Sequence, residues 1–442
     1  MDIIASFFIC FILFVLGAVK GIFVGYTLTC ALVLFIAIAV FKGFKIRSVL
    51  KMVYDGGKKV FIVLQIFVLI GAIISVWMAS GTVQSIVYYG LKYINANYFI
   101  LSAFIISSIV SLLIGTSFGT VSTVGIALMV MARGGNVNTA AAAGAIIAGA
   151  YFGDRCSPMS SSANLVSTIT STDLYVNIKN MIRTSIVPVI ASLVIYGLIS
   201  LRFPMTSSGS GIGSDIALHY KVGIVALLPA LIILVLSLFR VNVKLAMLIS
   251  IAAAALISVT VQQNTPVETL KYIMTGYSMK NNSNLAAIIT GGGIISMLKV
   301  SFVVFISSGF TGIFEGTGML SSLEKYTAAP RSDAGRFCTA IIVSIVTAAF
   351  GCTQVMAVIL TYTLMKKSYQ YKGDESEEAA VSLENTAIVI APLIPWNIAV
   401  LVPLTSLNAG FSAISFSVYL YLLPLWNLLM KIWKSGRIKS AK

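Results

Sequence analysis

The chain consists of long apolar stretches separated by short polar segments, and most of these stretches are long enough to cross a lipid bilayer. A membrane-spanning helix needs about 20 consecutive, mostly apolar residues. Eight uninterrupted stretches come close to this length: 3–19, 22–41, 60–80, 184–201, 219–239, 245–261, 285–313 and 415–433. The first has no basic residue before it and no small-residue cleavage site after it, so we expect a spanning helix and not a signal peptide.

Four further apolar stretches are each interrupted by a short segment rich in glycine, proline, serine or asparagine. They are 99–132 (break at 115–120), 139–172 (157–164), 337–365 (351–354) and 379–411 (392–397). Unpaired backbone groups are costly in hydrocarbon, so non-helical backbone at membrane depth lies against protein or a water-filled cavity. We expect 99–132 and 337–365 to be re-entrant hairpins and the other two to be broken helices, with all four breaks near the membrane midplane.

The breaks recur at a spacing of about half the chain. Landmarks lie 234–236 positions apart, pairing Gly81 with Gly316, Gly115 with Gly351, and Pro158 with Pro392. This spacing predicts two copies of one unit, repeat 1 at 1–201 and repeat 2 at 219–442, joined by an external loop at 202–218. Five crossings per unit is an odd number, so the copies are inverted. The predicted fold is an all-α polytopic membrane protein with about ten spanning helices, two re-entrant hairpins and two broken helices.

Composition supports a membrane protein. Of the 442 residues, 58% are hydrophobic and 10% are charged, and the mean hydropathy is +0.98. A soluble domain has about 25% charged residues, so a soluble enzyme and a nucleic-acid-binding protein are excluded. In the predicted topology 21 Lys and Arg residues lie on the cytoplasmic side and 7 outside, which places both termini in the cytoplasm. Five cysteines without paired spacing and a single histidine indicate no disulfide frame and no metal cofactor.

Few acidic residues lie at predicted membrane depth, and each costs about 2.5–3.5 kcal/mol to insert. Asp154 adjoins Arg155 and either forms a local ion pair with it or contacts a coupling ion or substrate. Glu384 precedes a break, where it either belongs to the binding site or caps a helix. Lys299 is predicted in mid-span, with Asp154 or Glu384 as a partner or in contact with an aqueous cavity.

Hydroxyl and amide side chains are concentrated at the breaks, and their oxygen atoms suit a hard cation or a small polar solute. The further candidate ligands are Thr116, Ser117, Thr120, Ser157, Ser160, Ser161, Ser162, Asn164, Thr353, Gln354, Asn385, Trp396 and Asn397. The candidates for Na⁺ are Ser157, Ser160, Asn164 and Asn397. The alternative is that serine, threonine and glycine allow close helix packing, with Trp396 as a packing residue. Interrupted segments at matching positions of two halves favour a transporter.

The motifs at these breaks resemble the NhaC family of Na⁺/H⁺ antiporters, within the ion transporter superfamily. The resemblance rests on residues 149–160 (GAYFGDRCSPMS) with Asn164-Leu165, on Gly81-Thr-Val with Tyr89-Gly90, on 115–120, and on Leu383-Glu384 leading to 392–397 (PLIPWN). It implies a multi-pass secondary transporter of the cell membrane. It further implies elevator-like alternating access, a homodimer, and Na⁺ or H⁺ as coupling ions without another cofactor.

One motif departs from the family. Members that exchange Na⁺ for H⁺ carry an aspartate followed by threonines where this chain has Ser161-Ser162-Ala163. Glu384-Asn-Thr-Ala also lacks the acidic residue that often follows the family's glutamate. Because relatives in this family move amino acids and malate or lactate, Na⁺/H⁺ exchange and Na⁺-coupled transport of a small organic ion both remain open. A channel would favour like residues in both halves. An enzyme or a pump would need a catalytic motif or a P-loop, and the sequence has neither.

Overall fold

The computed structural model describes residues 9–10, 12–14, 16–17, 20, 22–58, 61–206, 210–239, 241–279, 289–318, 332–369 and 375–440. Most of the predicted first span, 3–19, lies outside these residues, as does the start of the stretch at 285–313. The first-half helices are α1 Val24–Phe41, α2 Ile46–Lys58, α3 Phe61–Ala79, α4 Thr82–Tyr93, α5 Phe99–Ile114, α6 Ser117–Gly134, α7 Thr139–Cys156, α8 Ser161–Thr170 and α9 Leu174–Arg202. The second-half helices are α10 Ser210–His219, α11 Ile224–Leu238, α12 Val243–Thr260, α13 Pro266–Thr275, α14 Leu298–Thr317, α15 Asp333–Gly351, α16 Gln354–Tyr369, α17 Glu375–Asn385, α18 Ala387–Ile390, α19 Ile398–Ser406, α20 Ser412–Ser415 and α21 Val418–Ser440.

Within the described ranges, seven helices are long and apolar enough to cross a membrane, and up to ten spans result if each of three bent helix pairs counts as one. The prediction of an all-α polytopic membrane protein is confirmed. Helix α9 is longer than predicted, because Asp173 accepts hydrogen bonds from the backbone N–H groups of Tyr175 and Val176 and starts the helix at Leu174. The predicted cytoplasmic segment 173–183 is therefore mostly helical.

The breaks occur where they were predicted, but with different lengths. The first is confined to Gly115 and Thr116: Gly115 has φ +73 and ends α5, and Thr116 caps α6. Ser117 and Thr120 consequently lie in the first turn of a helix and not in the break. The break at 351–354 is likewise reduced to Cys352 and Thr353.

The last break is longer than predicted. Regular helix is lost at Thr386, and short helical turns at Ala387–Ile390 and Ala391–Leu393 precede the start of α19 after Asn397. Pro392 and Pro395 contribute to this irregularity because they have no backbone N–H to donate.

The first hairpin, α5 and α6, has both ends at the same end of the bundle. The backbone N–H of Met205 donates to the carbonyl of Ala96 (3.1 Å), and that of Thr206 donates to the carbonyl of Gly135 (3.1 Å). Two neighbouring residues that follow α9 thus contact the start of one arm and the end of the other. The tip of this hairpin, at Gly115, lies one helix length away, about 24 Å for 16 residues.

The second hairpin, α15 and α16, opens toward the opposite end. Its base is held by α17 and α21, since Glu378 pairs with Arg336 (3.2 Å) and with Lys431 (2.9 Å). Helix α21 runs antiparallel to α9: Val418 N donates to the Tyr196 hydroxyl (3.0 Å), and the Asn427 amide donates to the Thr184 carbonyl (3.5 Å). The second base therefore lies toward the beginning of α9, and the first lies beyond its end.

Helix α7 packs against α5 through glycines that leave no room for a side chain. A Cβ atom at Gly153 would lie 2.5 Å from the Leu112 nitrogen and 2.4 Å from the Ser111 Cβ, and one at Gly149 would lie 2.5 Å from the Phe104 carbonyl oxygen. Small residues let helix backbones approach closely in membranes. The alternative interpretation, that small residues allow close helix packing, thus agrees with the geometry at these two glycines.

We expect Gly153→Ala to lower the free energy of unfolding by about 1–3 kcal/mol, because the added methyl group overpacks a closed interface. Gly197→Ala is the matched control, since a Cβ there meets nothing within 4 Å and alanine gains up to about 1 kcal/mol in a helix. Unfolding of both variants in detergent measures the difference. Equal stabilisation by the two substitutions would contradict this account of the α5–α7 contact.

Candidate functional site

In the first half, the hairpin tip docks on the break of the following broken span. The Ser157 hydroxyl donates to the Leu112 carbonyl (2.8 Å) at the end of α5. The backbone of Met159 lies so close to Gly115 that a Cβ atom on this glycine would come within 2.8 Å of the Met159 carbonyl carbon. The 157–160 break therefore supplies the partner for a carbonyl that α5 leaves unpaired at its end.

In the second half, the corresponding contacts use an indole and an amide. Trp396 Nε1 donates to the Ala349 carbonyl and Asn397 Nδ2 donates to the Ala348 carbonyl, both at 2.7 Å. Ala348 is 236 positions after Leu112, the same offset as between Gly115 and Gly351. Each half thus connects its hairpin to its broken span at an equivalent point of the first arm.

Asp154 lies at the last turn of α7, next to the first hairpin tip. Its Oδ2 accepts from the Ser117 hydroxyl (2.9 Å) and its Oδ1 from the Ser160 hydroxyl (2.7 Å). Ser160 in turn shares a hydrogen bond with Ser162 (2.7 Å). Only 5% of Asp154 is exposed. Ser117 begins α6 and Ser160 caps α8, so two helix N-termini with partial positive charge also stabilise this carboxylate.

Arg155 does not pair with Asp154, so the predicted local ion pair is wrong. Consecutive helical residues point about 100° apart, and Arg155 extends away from the first hairpin. It donates from Nε to the Glu384 carbonyl (2.9 Å). Its other partners are the Met181 carbonyl, the Cys156 sulfur, Thr184, Ser185, Asn385 and Tyr419. Arg155 is fully buried and joins α7, α9, α17 and α21.

Glu384 is fully buried in the last turn of α17, and neither carboxylate oxygen has a hydrogen-bond partner among the described residues. The alternative that its side chain caps a helix is therefore wrong. Arg155 and Asp154 are close enough to interact with this carboxylate electrostatically. An unsatisfied buried carboxylate is costly when ionised, and a bound proton or cation relieves that cost.

The two broken spans contact each other. The Tyr151 hydroxyl donates to the Ala399 carbonyl (2.5 Å) near the start of α19, one turn of α7 away from the Arg155–Glu384 contact. These two contacts bring the acid of each half, Asp154 and Glu384, into one buried region. This part of the molecule combines two carboxylates, a guanidinium and several hydroxyl groups.

Most other predicted ligands use their polar atoms to satisfy backbone at the breaks. Asn164 donates to the Ser160 carbonyl (2.7 Å), and Asn397 also accepts from Ala399 N (2.9 Å). The remaining contacts are Thr116 with Gly119 N, Thr120 with the Thr116 carbonyl, Thr353 with Met356 N, and Gln354 with the Ile388 carbonyl. Ser161 is exposed at the start of α8.

The position of Lys299 also differs from the one predicted from the sequence. Lys299 is exposed as the second residue of α14 and not in mid-span, which separates it from the buried Asp154 and Glu384. Three further residues that contact the site were not predicted from the sequence: Tyr151 on α7, Ser185 on α9 and Tyr419 on α21. A hydroxyl isolated within an apolar span was the available signal.

Apolar spans with two interrupted segments that meet around buried carboxylates are typical of an ion-coupled membrane transporter. The profile of the Na⁺/H⁺ antiporter family matches residues 149–430, and the chain belongs to this family. The resemblance to NhaC antiporters is confirmed. Members of this family are antiporters and not enzymes, with Na⁺ and H⁺ as coupling ions, so the predicted class and multi-pass membrane location are confirmed as well.

Three relatives cover most of this chain. The Na(+)/H(+) antiporter NhaC of Bacillus subtilis is 28% identical over 90% of this chain and 90% of its own length. The malate-2H(+)/Na(+)-lactate antiporter of B. subtilis is 28% identical over 75% of this chain and 72% of its own. The arginine/ornithine antiporter ArcD of Halobacterium salinarum is 28% identical over 76% and 70%. The chain is thus similar to antiporters with different cargo.

Arg155→Gln is expected to lower the free energy of unfolding by about 3–5 kcal/mol, the range seen when one member of a buried charged network is removed. Arg155→Lys should also destabilise, because an ammonium group cannot reproduce the guanidinium fork. The control is Arg202→Gln, at an exposed arginine that ends α9. Thermal unfolding in detergent provides the measurement, and equal stability of Arg155→Gln and Arg202→Gln would show that the network is dispensable.

Proposed function

We propose that this chain exchanges Na⁺ for H⁺ at the buried region around Asp154. The observation that carries the proposal is the Asp154 carboxylate, buried and bonded to two serine hydroxyls at 2.7 and 2.9 Å. A hydroxyl that donates its proton to a carboxylate keeps two oxygen lone pairs. Ser117 and Asp154 can therefore supply oxygen ligands to Na⁺ together, and protonation of the carboxylate removes the charge that holds the ion. The Ser160 oxygen accepts from the backbone N–H groups of Ser162 and Ala163 (3.1 and 3.3 Å), so Ser160 positions the carboxylate.

Glu384 is proposed as the second exchangeable site. Its carboxylate has no donor among the described residues, so an ion or a proton is the partner that would satisfy it. Competition between Na⁺ and H⁺ for one buried group is the simplest basis for antiport, because occupancy by either ligand neutralises the same charge. Ser157, Asn164 and Asn397 are proposed as residues that hold the breaks in shape around the ion.

An organic ion as cargo is the second candidate function. The observation that favours it is the Ser161-Ser162-Ala163 segment, which stands where Na⁺/H⁺ exchangers of the resembled family carry an aspartate. Two relatives are described as antiporters of malate and lactate and of arginine and ornithine. In this alternative Na⁺ at Asp154 accompanies a small amino acid or carboxylate.

The proposed architecture is two inverted repeats at 1–201 and 219–442, joined at 202–218, with elevator-like alternating access. It is supported by the opposite orientation of the two hairpin bases and by the equivalent docking of each hairpin tip. An excess of basic residues in predicted cytoplasmic segments supports cytoplasmic termini. A homodimer in contact with membrane lipid completes the proposal, on the basis of the family resemblance.

Asp154→Asn is expected to abolish Na⁺-driven proton flux in reconstituted vesicles, because the amide cannot exchange a charge. Ser117→Ala should raise the Na⁺ concentration for half-maximal flux roughly tenfold, which corresponds to the loss of one bond of about 1.5 kcal/mol to a charged group. Ser102→Ala, on the outer part of the same hairpin, is the control. A pH-sensitive dye inside the vesicles reports the flux, and an unaltered Na⁺ response of Asp154→Asn would remove Asp154 from the site.

Glu384→Gln is expected to reduce proton flux at least tenfold, while Na⁺ still raises the melting temperature because the Asp154 cluster is intact. The matched control is Glu377→Gln, at an exposed glutamate of the same helix. Flux and melting temperature are measured on the same preparations. Normal flux in Glu384→Gln would assign this residue a structural role only.

A further inference from the structure

A cavity of about 270 Å³ lies at the end of the bundle where the first hairpin has its base. Its walls come from α3 (Ile74, Met78), α6 (Arg133), the turn before α14 (Ser296), the last residue of α19 (Ser406) and Asn408 just after it. Arg133 follows Ser117 by 16 residues on α6, a distance of about 24 Å along the helix. The cavity is therefore separate from the Asp154 region.

Among the described residues that line this cavity, Arg133 is the one with a charged side chain. Its Nη2 donates to the carbonyls of Leu407 and Asn408, the latter at 3.1 Å. Within the described part of the chain, Nε and Nη1 have no hydrogen-bond partner, so three of the five N–H donors of the guanidinium are unused. An arginine near a helix C-terminus stabilises that terminus, but here one nitrogen alone serves this purpose.

Ser406 is a second, independent sign of a ligand. It lines the same cavity and is only 8% exposed, and its hydroxyl has no hydrogen-bond partner among the residues that the structure describes. Buried hydroxyl groups are almost always paired. An anion with two acceptor oxygens would satisfy both this hydroxyl and the free edge of the guanidinium.

We infer that this cavity binds the carboxylate group of a small organic ion. A guanidinium pairs with a carboxylate through two parallel hydrogen bonds, and the volume accommodates a solute of a few carbon atoms. A cation such as Na⁺ finds only repulsion from Arg133 there. We assign this site the role of first contact for an organic solute on its way to the ion-binding region. This role rests on the proposed transport function, whereas carboxylate binding at Arg133 does not.

The test uses the purified full-length chain with L-lactate and L-malate as probes and lactamide as the uncharged analogue. Calorimetry is expected to show saturable binding of lactate or malate but not of lactamide. Arg133→Gln should raise the dissociation constant of the carboxylate at least tenfold, and Ser406→Ala about threefold. Arg202→Gln, which removes an exposed positive charge at the same end of the bundle, should leave it unchanged.

Two measurements keep the result interpretable. A Na⁺-induced rise in melting temperature shows that Arg133→Gln is folded, and Arg133→Lys retains the charge but should still bind more weakly, because it lacks the planar fork. Equal binding of lactate and lactamide, or equal losses in Arg133→Gln and Arg202→Gln, would overturn the site. Na⁺-driven proton flux without carboxylate binding would overturn this inference and leave the proposed exchange intact. Arg133-dependent binding without such flux would support this site and reject the exchange.

Discussion

Backbone polar groups in the membrane interior need partners from within the protein, and this requirement determines how the interrupted helices are arranged. Each hairpin ends its first arm with carbonyls that the arm itself cannot pair. The following broken span supplies the donors: the Ser157 hydroxyl for Leu112, and the Trp396 indole and Asn397 amide for Ala349 and Ala348. The polar side chains at the breaks therefore hold the backbone, and few of them remain free for a ligand.

The same requirement explains the contrast between the two buried acids. The Asp154 carboxylate faces the first turns of α6 and α8, and hydroxyls and helix N-termini balance its charge. Glu384 lies where a helix ends, and its neighbour Arg155 binds the carbonyl of that residue and not its carboxylate. Asp154 is thus surrounded by hydrogen-bond donors, whereas the Glu384 carboxylate has none among the described residues.

Much of the fold could be predicted from sequence, because its signals are local. Long apolar runs mark the spans, and Gly115, Pro158 and Pro392 mark interruptions by their own backbone chemistry. The extent of each interruption could not be read in this way. Capping by Thr116 brings Ser117 into a helix, and capping by Asp173 starts α9 ten residues before the apolar run.

Several residues of the candidate site could be predicted from the sequence, but their hydrogen-bond partners could not. Asp154, Ser117 and Ser160 belong to two different predicted elements, and proximity of the breaks was enough to group them. The direction of Arg155 was not predictable, since its partners Ser185 and Tyr419 belong to two other spans, one of them in the second half. Pairing Asp154 with Arg155 from adjacency alone failed because neighbouring helical residues face different directions.

The burial of Arg155 has an electrical consequence. A guanidinium does not lose its proton in a protein, so this residue is a permanent positive charge in the protein interior, close to the two acids proposed to exchange ions. When both carboxylates are ionised, Asp154, Glu384 and Arg155 together carry one net negative charge. A single monovalent cation makes this interior neutral, and a cation or proton at the other carboxylate leaves one net positive charge.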